Sequence, residues 1–110
     1  MAEQYWDGEN WLTVFSNSFG TYYYFNGVFH RNNGPSVIYY CEYSSTKFYY
    51  FNGKLHKKDE PAIIKYYNNS SIVFKEYFFK GIEFNPKKLP FDLPIDTKEK
   101  EFLFKLKYGG

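Results

Sequence analysis

The chain has 110 residues, a net charge of +2, 25% aromatic residues and a single cysteine, Cys41. One domain with one modest core suits this length. No run approaches the roughly 18 unbroken apolar residues of a membrane span, a lone cysteine cannot close an internal disulfide, and so small a charge does not support nucleic-acid binding by counter-ion release, which needs a clustered basic face.

Charge is nonetheless uneven. Residues 1–55 hold three basic and four acidic side chains, and residues 56–110 hold eleven lysines and eight acids. The opening MAEQYWDGENW is acidic and has no apolar core of a secretory leader, so the expected setting is cytoplasmic (a host cell) or a virion rather than a secretory route. Thirteen of the fourteen basic residues are lysine. With the abundance of Phe, Tyr and Asn, this points to AT-rich coding.

In chain order, the first strand-like run is Trp11–Phe15. Thr21–Phe25 and Val28–Arg31 then flank Asn26-Gly27. Asn-Gly between apolar runs is the strongest short hairpin signal, because a type I′ turn needs positive φ at both central residues. The implied register sets Tyr24 opposite Phe29 and Tyr23 opposite His30. Asn32-Asn33-Gly34-Pro35 breaks the strand, and Ser36–Cys41 resumes it. The same order then returns: Phe48–Phe51, Asn52-Gly53, Lys54–Lys57, a break at Lys58–Pro61, and a strand at Ala62–Tyr67. Asn26, Gly27, His30 and Pro35 thus recur as Asn52, Gly53, His56 and Pro61, offset by 26 residues. A third copy, Tyr77–Phe84, keeps the turn glycine at Gly81 but has Lys80 for the Asn and Phe84 for the His.

After Phe84 the repetition stops. Three prolines in residues 85–94 predict an extended connector. Asp96 followed by Glu99 resembles a capping box, lysines close the segment and Gly109 stops it, which predicts a short helix. The alternation of Phe102, Phe104, Leu106 and Tyr108 fits a strand instead. We take the helix as the expectation.

The run Asn26–Tyr40 resembles the "NGKxHRxxGPA" repeats of large DNA viruses and bacteriophages, through Asn26, Gly27, His30, Arg31, Gly34 and Pro35. The second copy keeps Asn52, Gly53, His56, Lys57, Pro61 and Ala62 but has Glu60 for the glycine. These repeats are similar to MORN repeats, whose pattern also runs Tyr, Gly, then His and Gly. The resemblance covers roughly residues 11–84. It implies an all-β domain, an antiparallel meander of MORN-like β-hairpin repeats, closed by the short C-terminal helix. Repeats fall near 11–34, 35–60 and 61–84 within a repeat region of residues 1–84. Residues 85–110 form the Pro-rich connector and capping segment. The resemblance also implies a viral or phage source and a structural or protein-binding role.

The functional candidates are few. His30 and His56 on adjacent copies could ligate a metal or serve as bases, but a catalytic zinc wants three protein ligands, and the third copy offers only Phe84. The expected role is architectural, with each imidazole packed on Tyr23 or Tyr49 across its hairpin and bonded to a neighbouring loop. No metal, cofactor or catalytic residue is expected: there is no P-loop, GxSxG, HExxH or paired-Cys motif. Asp92 and Asp96 read as solvated turn residues, and Arg31 and Lys57 as solvated edge residues. The aromatic runs are too many for one small core. We therefore expect an exposed aromatic face, with Tyr22, Tyr24, Tyr39, Tyr50 and Tyr66 as its candidate residues. Its partner would be a viral or host protein, or a second copy, with no membrane role and with nucleic acid disfavoured. The alternative is a nucleotide-like molecule held between repeats, with rings to stack and His or Lys to meet phosphate.

Overall fold

The computed structural model describes residues 2–109, so Met1 and Gly110 at the two ends of the expected segments lie outside it. Eleven strands run β1 Glu3–Trp6, β2 Trp11–Asn17, β3 Gly20–Phe25, β4 Val28–Phe29, β5 Val37–Tyr40, β6 Ser44–Phe48, β7 Tyr50–Phe51, β8 Lys54–Leu55, β9 Ile63–Tyr67, β10 Ile72–Phe79 and β11 Ile82–Phe84. Among the described residues, one α-helix, α1, spans Lys98–Tyr108. The chain is mainly β, an antiparallel meander with one short C-terminal helix.

The main sheet has the order β1-β2-β3-β5-β6-β9-β10-β11, with β4 beside β3, while β7 and β8 pair only with each other. The sheet is open: β1 and β11 are its two ends. The three repeat turns have positive φ at both central residues, at Asn26 and Gly27, Asn52 and Gly53, and Lys80 and Gly81. The hairpin register is the expected one, with Tyr24 opposite Phe29 and the His30 amide donating to the Tyr23 carbonyl. Strand β1 lies ahead of the first strand read from the sequence and pairs with β2 from Glu3–Val14 to Trp6–Trp11.

The helix replaces the rival strand, but its cap differs from the expected one. Thr97, not Asp96, is the N-cap, and its side-chain oxygen accepts from the Lys100 amide. The Asp96 carboxylate instead meets the Lys100 ammonium at 3.4 Å. Gly109 closes the helix in the left-handed region, at φ 64°. The connector also departs from a fully extended chain: Pro86–Lys88 form a 3-10 turn capped by Asn85.

A single sheet layer buries little. The densest cluster joins Phe79, Phe84, Ile95 and Phe104, beneath α1. Elsewhere burial comes one residue at a time, at Leu12, Val37 and Ala62. The helix is therefore the second layer, and it covers only one end of the sheet. Burying the Phe104 side chain contributes about 1.5–3 kcal/mol by area alone.

Candidate functional site

Two features separate this sheet from a plain meander: a column of stapled rings along the turns, and an uncovered aromatic face.

The column begins with the turns. Two successive positive-φ residues aim both of their N–H groups to one side, a concavity that favours lone pairs. The preceding copy supplies them. Asn52 donates its amide to His30 Nδ1 at 3.0 Å, and Gly53 donates to the Phe29 carbonyl at 2.9 Å. One copy further, Lys80 donates to His56 Nδ1 at 2.9 Å, and Gly81 donates to the Leu55 carbonyl at 2.8 Å. Each junction thus uses the same two acceptors, 26 residues apart.

The imidazole is suited to this place because it is both a disc and an acceptor. His30 lies 5.5 Å from the Phe25 ring and 4.5 Å from Phe51. His56 lies 6.2 Å from Phe51 and 4.9 Å from Phe79, and Phe79 leads to Phe104 of α1 at 5.1 Å. The ring partners are these phenylalanines, not the expected Tyr23 and Tyr49. Phe51 stands between the two imidazoles, so they share no ligand position. Because Nδ1 accepts, the neutral ring carries its proton on Nε2. For His30, 2% exposed, that Nε2 is buried without a partner.

The third copy closes the series. Phe84 occupies the position of His30 and His56 but has no following turn to hold. Its ring instead meets Phe104 at 5.3 Å and Tyr108 at 6.2 Å. A ring without an acceptor is what a helix cap requires there.

The tyrosines Tyr23 and Tyr49 serve the basic residues instead. The Arg31 guanidinium sits 4.2 Å from the Tyr23 ring centre and 5.0 Å from that of Tyr5. It donates to Asn33 Oδ1, the Pro35 carbonyl and the Tyr5 hydroxyl. Lys57 lies 4.5 Å from the Tyr49 ring centre. Neither is a free solvated edge residue, and Arg31 makes three hydrogen bonds. Arginine also explains its glycine. A Cβ on Gly34 would stand 2.8 Å from Arg31 Cζ. The second copy has the slimmer Lys57, and there Glu60 is accommodated and pairs with it at 3.7 Å. After each break, Pro35 leads to Ser36 and Pro61 to Ala62, both fully buried, where only a small side chain fits.

Asp7 was not singled out in the sequence. It is fully buried in the β1–β2 loop. Oδ1 accepts from the Glu9 and Asn10 amides at 3.0 and 2.8 Å, and Oδ2 accepts from the Asn32 amide at 2.8 Å. Burial pushes its carboxyl upward, but the three amides outweigh it and hold the group below the ordinary value of 3.8. The signal was the pair Asp7-Gly8, with Gly8 at φ 99°, a degenerate turn ahead of the first copy.

Directly opposed residues of antiparallel strands share a face. By register, Trp6, Trp11, Phe15, Tyr22, Tyr24, Phe29, Tyr39 and Phe48 lie on one side. Their rings touch in sequence: Phe15 with Tyr24 at 5.7 Å, Tyr24 with Phe29 at 5.0 Å, Phe29 with Tyr50 at 5.2 Å, and Tyr22 with Tyr39 at 6.0 Å. From β1 through β6 this face carries no charged side chain; the first is Lys65 on β9. Trp11 is 62% and Tyr39 46% exposed. Four of the five tyrosines singled out above, Tyr22, Tyr24, Tyr39 and Tyr50, belong to this face. Tyr66 lies on the other, where Lys47 reaches its ring at 5.4 Å.

A groove of about 900 Å³ lies between the loops of the first two copies, lined by Asn33, Tyr49, His56, Lys57, Lys58 and Asp59 among others. Among the described residues, no helix is long and apolar enough to cross a membrane. No protein-family model matches the chain, no curated protein matches it, and no solved structure matches it.

Proposed function

We propose that this chain is a non-enzymatic repeat module that binds a protein partner, or a second copy of itself, through the uncharged aromatic face. The observation that carries this reading is the run of mutually touching rings from Phe15 to Tyr50 on a face without charges across six strands. Tyr and Trp give large contact area at low entropic cost, and they are enriched where proteins meet. A charge-free face also avoids the desolvation cost that a partner would otherwise meet. The resemblance of Asn26–Tyr40 to the NGKxHRxxGPA and MORN-type repeats supports a viral or phage source. It also supports a virion component or a host-factor binder within this class.

The test replaces Trp11, Phe15 and Tyr39 with Ser together, and separately replaces Tyr66, on the opposite face. Co-purification of a partner, or self-association by light scattering, is lost in the triple variant while its melt stays cooperative. Loss with the Tyr66 variant alone would defeat the reading.

A second reading, capture of a nucleotide-like molecule, is favoured by the groove with Tyr49, His56, Lys57 and Lys58 in its wall. Native mass spectrometry of the fresh protein separates the two: a bound small mass supports the groove, and a dimer or partner complex supports the face.

A further inference from the structure

Among the described residues, hairpin β7–β8 is the only strand pair outside the main sheet. Tyr50 donates to Ser36 Oγ at 2.6 Å and Lys57 to the Phe78 carbonyl at 3.1 Å, and four further bonds join the turns to the flanking copies. Two of these run between backbone groups, Gly53 to Phe29 and Gly81 to Leu55. The other two end on imidazole nitrogens, Asn52 to His30 Nδ1 and Lys80 to His56 Nδ1. An imidazole accepts at Nδ1 only while it is neutral; its cation carries protons on both nitrogens and would confront the amide donor with a second donor.

We propose that β7–β8 is a strap loosened by acid on its far flank: protonation of His56 removes the bond from the Lys80 amide and weakens the hold of the hairpin on the third turn. Loosening there separates the His56 ring, which stays with its hairpin through the bond from its amide to the Tyr49 carbonyl, from Phe79 of the next copy, so the response to acid is a local exposure of aromatic surface between copies.

The charges around the His56 ring set where this happens. His56 faces Lys57 and Lys58 of its own loop, Lys80 of the next turn and Glu101 of α1. Lys54 lines the same hollow, and Asp59 and Asp96 share its groove. Burial is the main force that holds the His56 imidazole below its ordinary 6.5, and Lys80, Lys58 and Lys57 add to it against Glu101. Release on this flank therefore lies below pH 6.5. His30 faces the Asp7 carboxylate, has Arg31 beside it in the chain, and is otherwise enclosed by the Phe25 and Phe51 rings.

Amide hydrogen exchange of the full chain from pH 7.5 to 4.5 tests the proposal, with protection referenced to the unstructured-chain rate at each pH. The Lys80 amide is compared with those of Ser36 and Ala62, which donate to the carbonyls of Phe48 and Glu76. Protection of Lys80 falls by up to about tenfold per pH unit below 6.5, until the folded His56 ring titrates, while the two controls hold. In His56→Asn, whose Oδ1 can accept near the Nδ1 position without titrating, Lys80 protection no longer follows pH. If that variant does not fold, the wild-type Lys80 amide shift decides, because it tracks the His56 ring titration by NMR. Constant protection at Lys80, or parallel loss at Lys80 and both controls, would overturn the strap.

Discussion

The Lys80 amide donates to His56 Nδ1 at 2.9 Å, repeating one copy later what the Asn52 amide does for His30 at 3.0 Å. A bond that recurs with the repeat, on a residue that recurs with it, identifies the histidine as the connection between copies. It also predicts what removing the acceptor costs. His30→Phe keeps a ring between Phe25 and Phe51 but leaves the Asn52 amide unpaired, and stability falls by about 1–3 kcal/mol. The more exposed His56→Phe costs less, about 0.5–1.5 kcal/mol. Urea melts with unchanged m-values check both, and equal stability to wild type would remove the staple as a structural device.

Acid acts on a second buried group. The Asp7 carboxyl is held below its unfolded value, so the folded chain binds fewer protons than the unfolded one between the two values. The stability it contributes is present above the ordinary value of 3.8 and is lost as pH falls through the folded value. The His56 imidazole is likewise lowered, so its neutral form favours folding, and that contribution is complete above 6.5 and declines below it until the folded ring titrates. Melting temperature therefore drops in two ranges, one below pH 6.5 and one below pH 3.8. His56→Asn flattens the upper range. Asp7→Asn flattens the lower one and costs about 1–3 kcal/mol at neutral pH through its amide partners.

The helix cap stands on Phe104, which touches Phe79, Phe84 and Tyr108. Phe104→Ala opens a cavity under α1 and costs about 3–5 kcal/mol, a large part of the 5–15 kcal/mol typical of a domain. Phe102 lies on the solvent side of the same helix at 61% exposure, and its replacement by Ala changes stability by less than about 0.5 kcal/mol. Similar losses at both positions in thermal melts would show that α1 does not dock through Phe104.

Gly34 and Arg31 form a coupled pair. Gly34→Ala drives a methyl into the guanidinium carbon and costs about 1–3 kcal/mol as overpacking. In an Arg31→Lys background the same change is nearly free, since the second copy accommodates Glu60 beside Lys57. A double-mutant cycle reads the coupling directly, and additive costs would contradict the clash.

What the sequence alone determined is local. The Asn26-Gly27 and Asn52-Gly53 turns follow from the steric tolerance of positive φ, and strand alternation follows from the two-residue period of a pleat. Gly109 stops the helix for the same steric reason as the turns. Even here the local signal blurs where two caps compete: Thr97 rather than Asp96 starts α1, because only its oxygen meets the Lys100 amide.

What only the tertiary structure decided is every relation across copies. The short segment Glu3–Trp6 becomes a strand because β2 offers it an edge. Asp7 is buried because the Asn32 amide arrives from a distant loop. The histidines pack on Phe25, Phe51 and Phe79 rather than on their own tyrosines, since the next hairpin turn comes down over the ring and Arg31 and Lys57 take the tyrosine faces. Tyr66 parts from Tyr22, Tyr24 and Tyr39 through strand register, which one residue of slip inverts. The motif is written locally, but its histidine acquires a meaning only when a neighbouring turn supplies the amide.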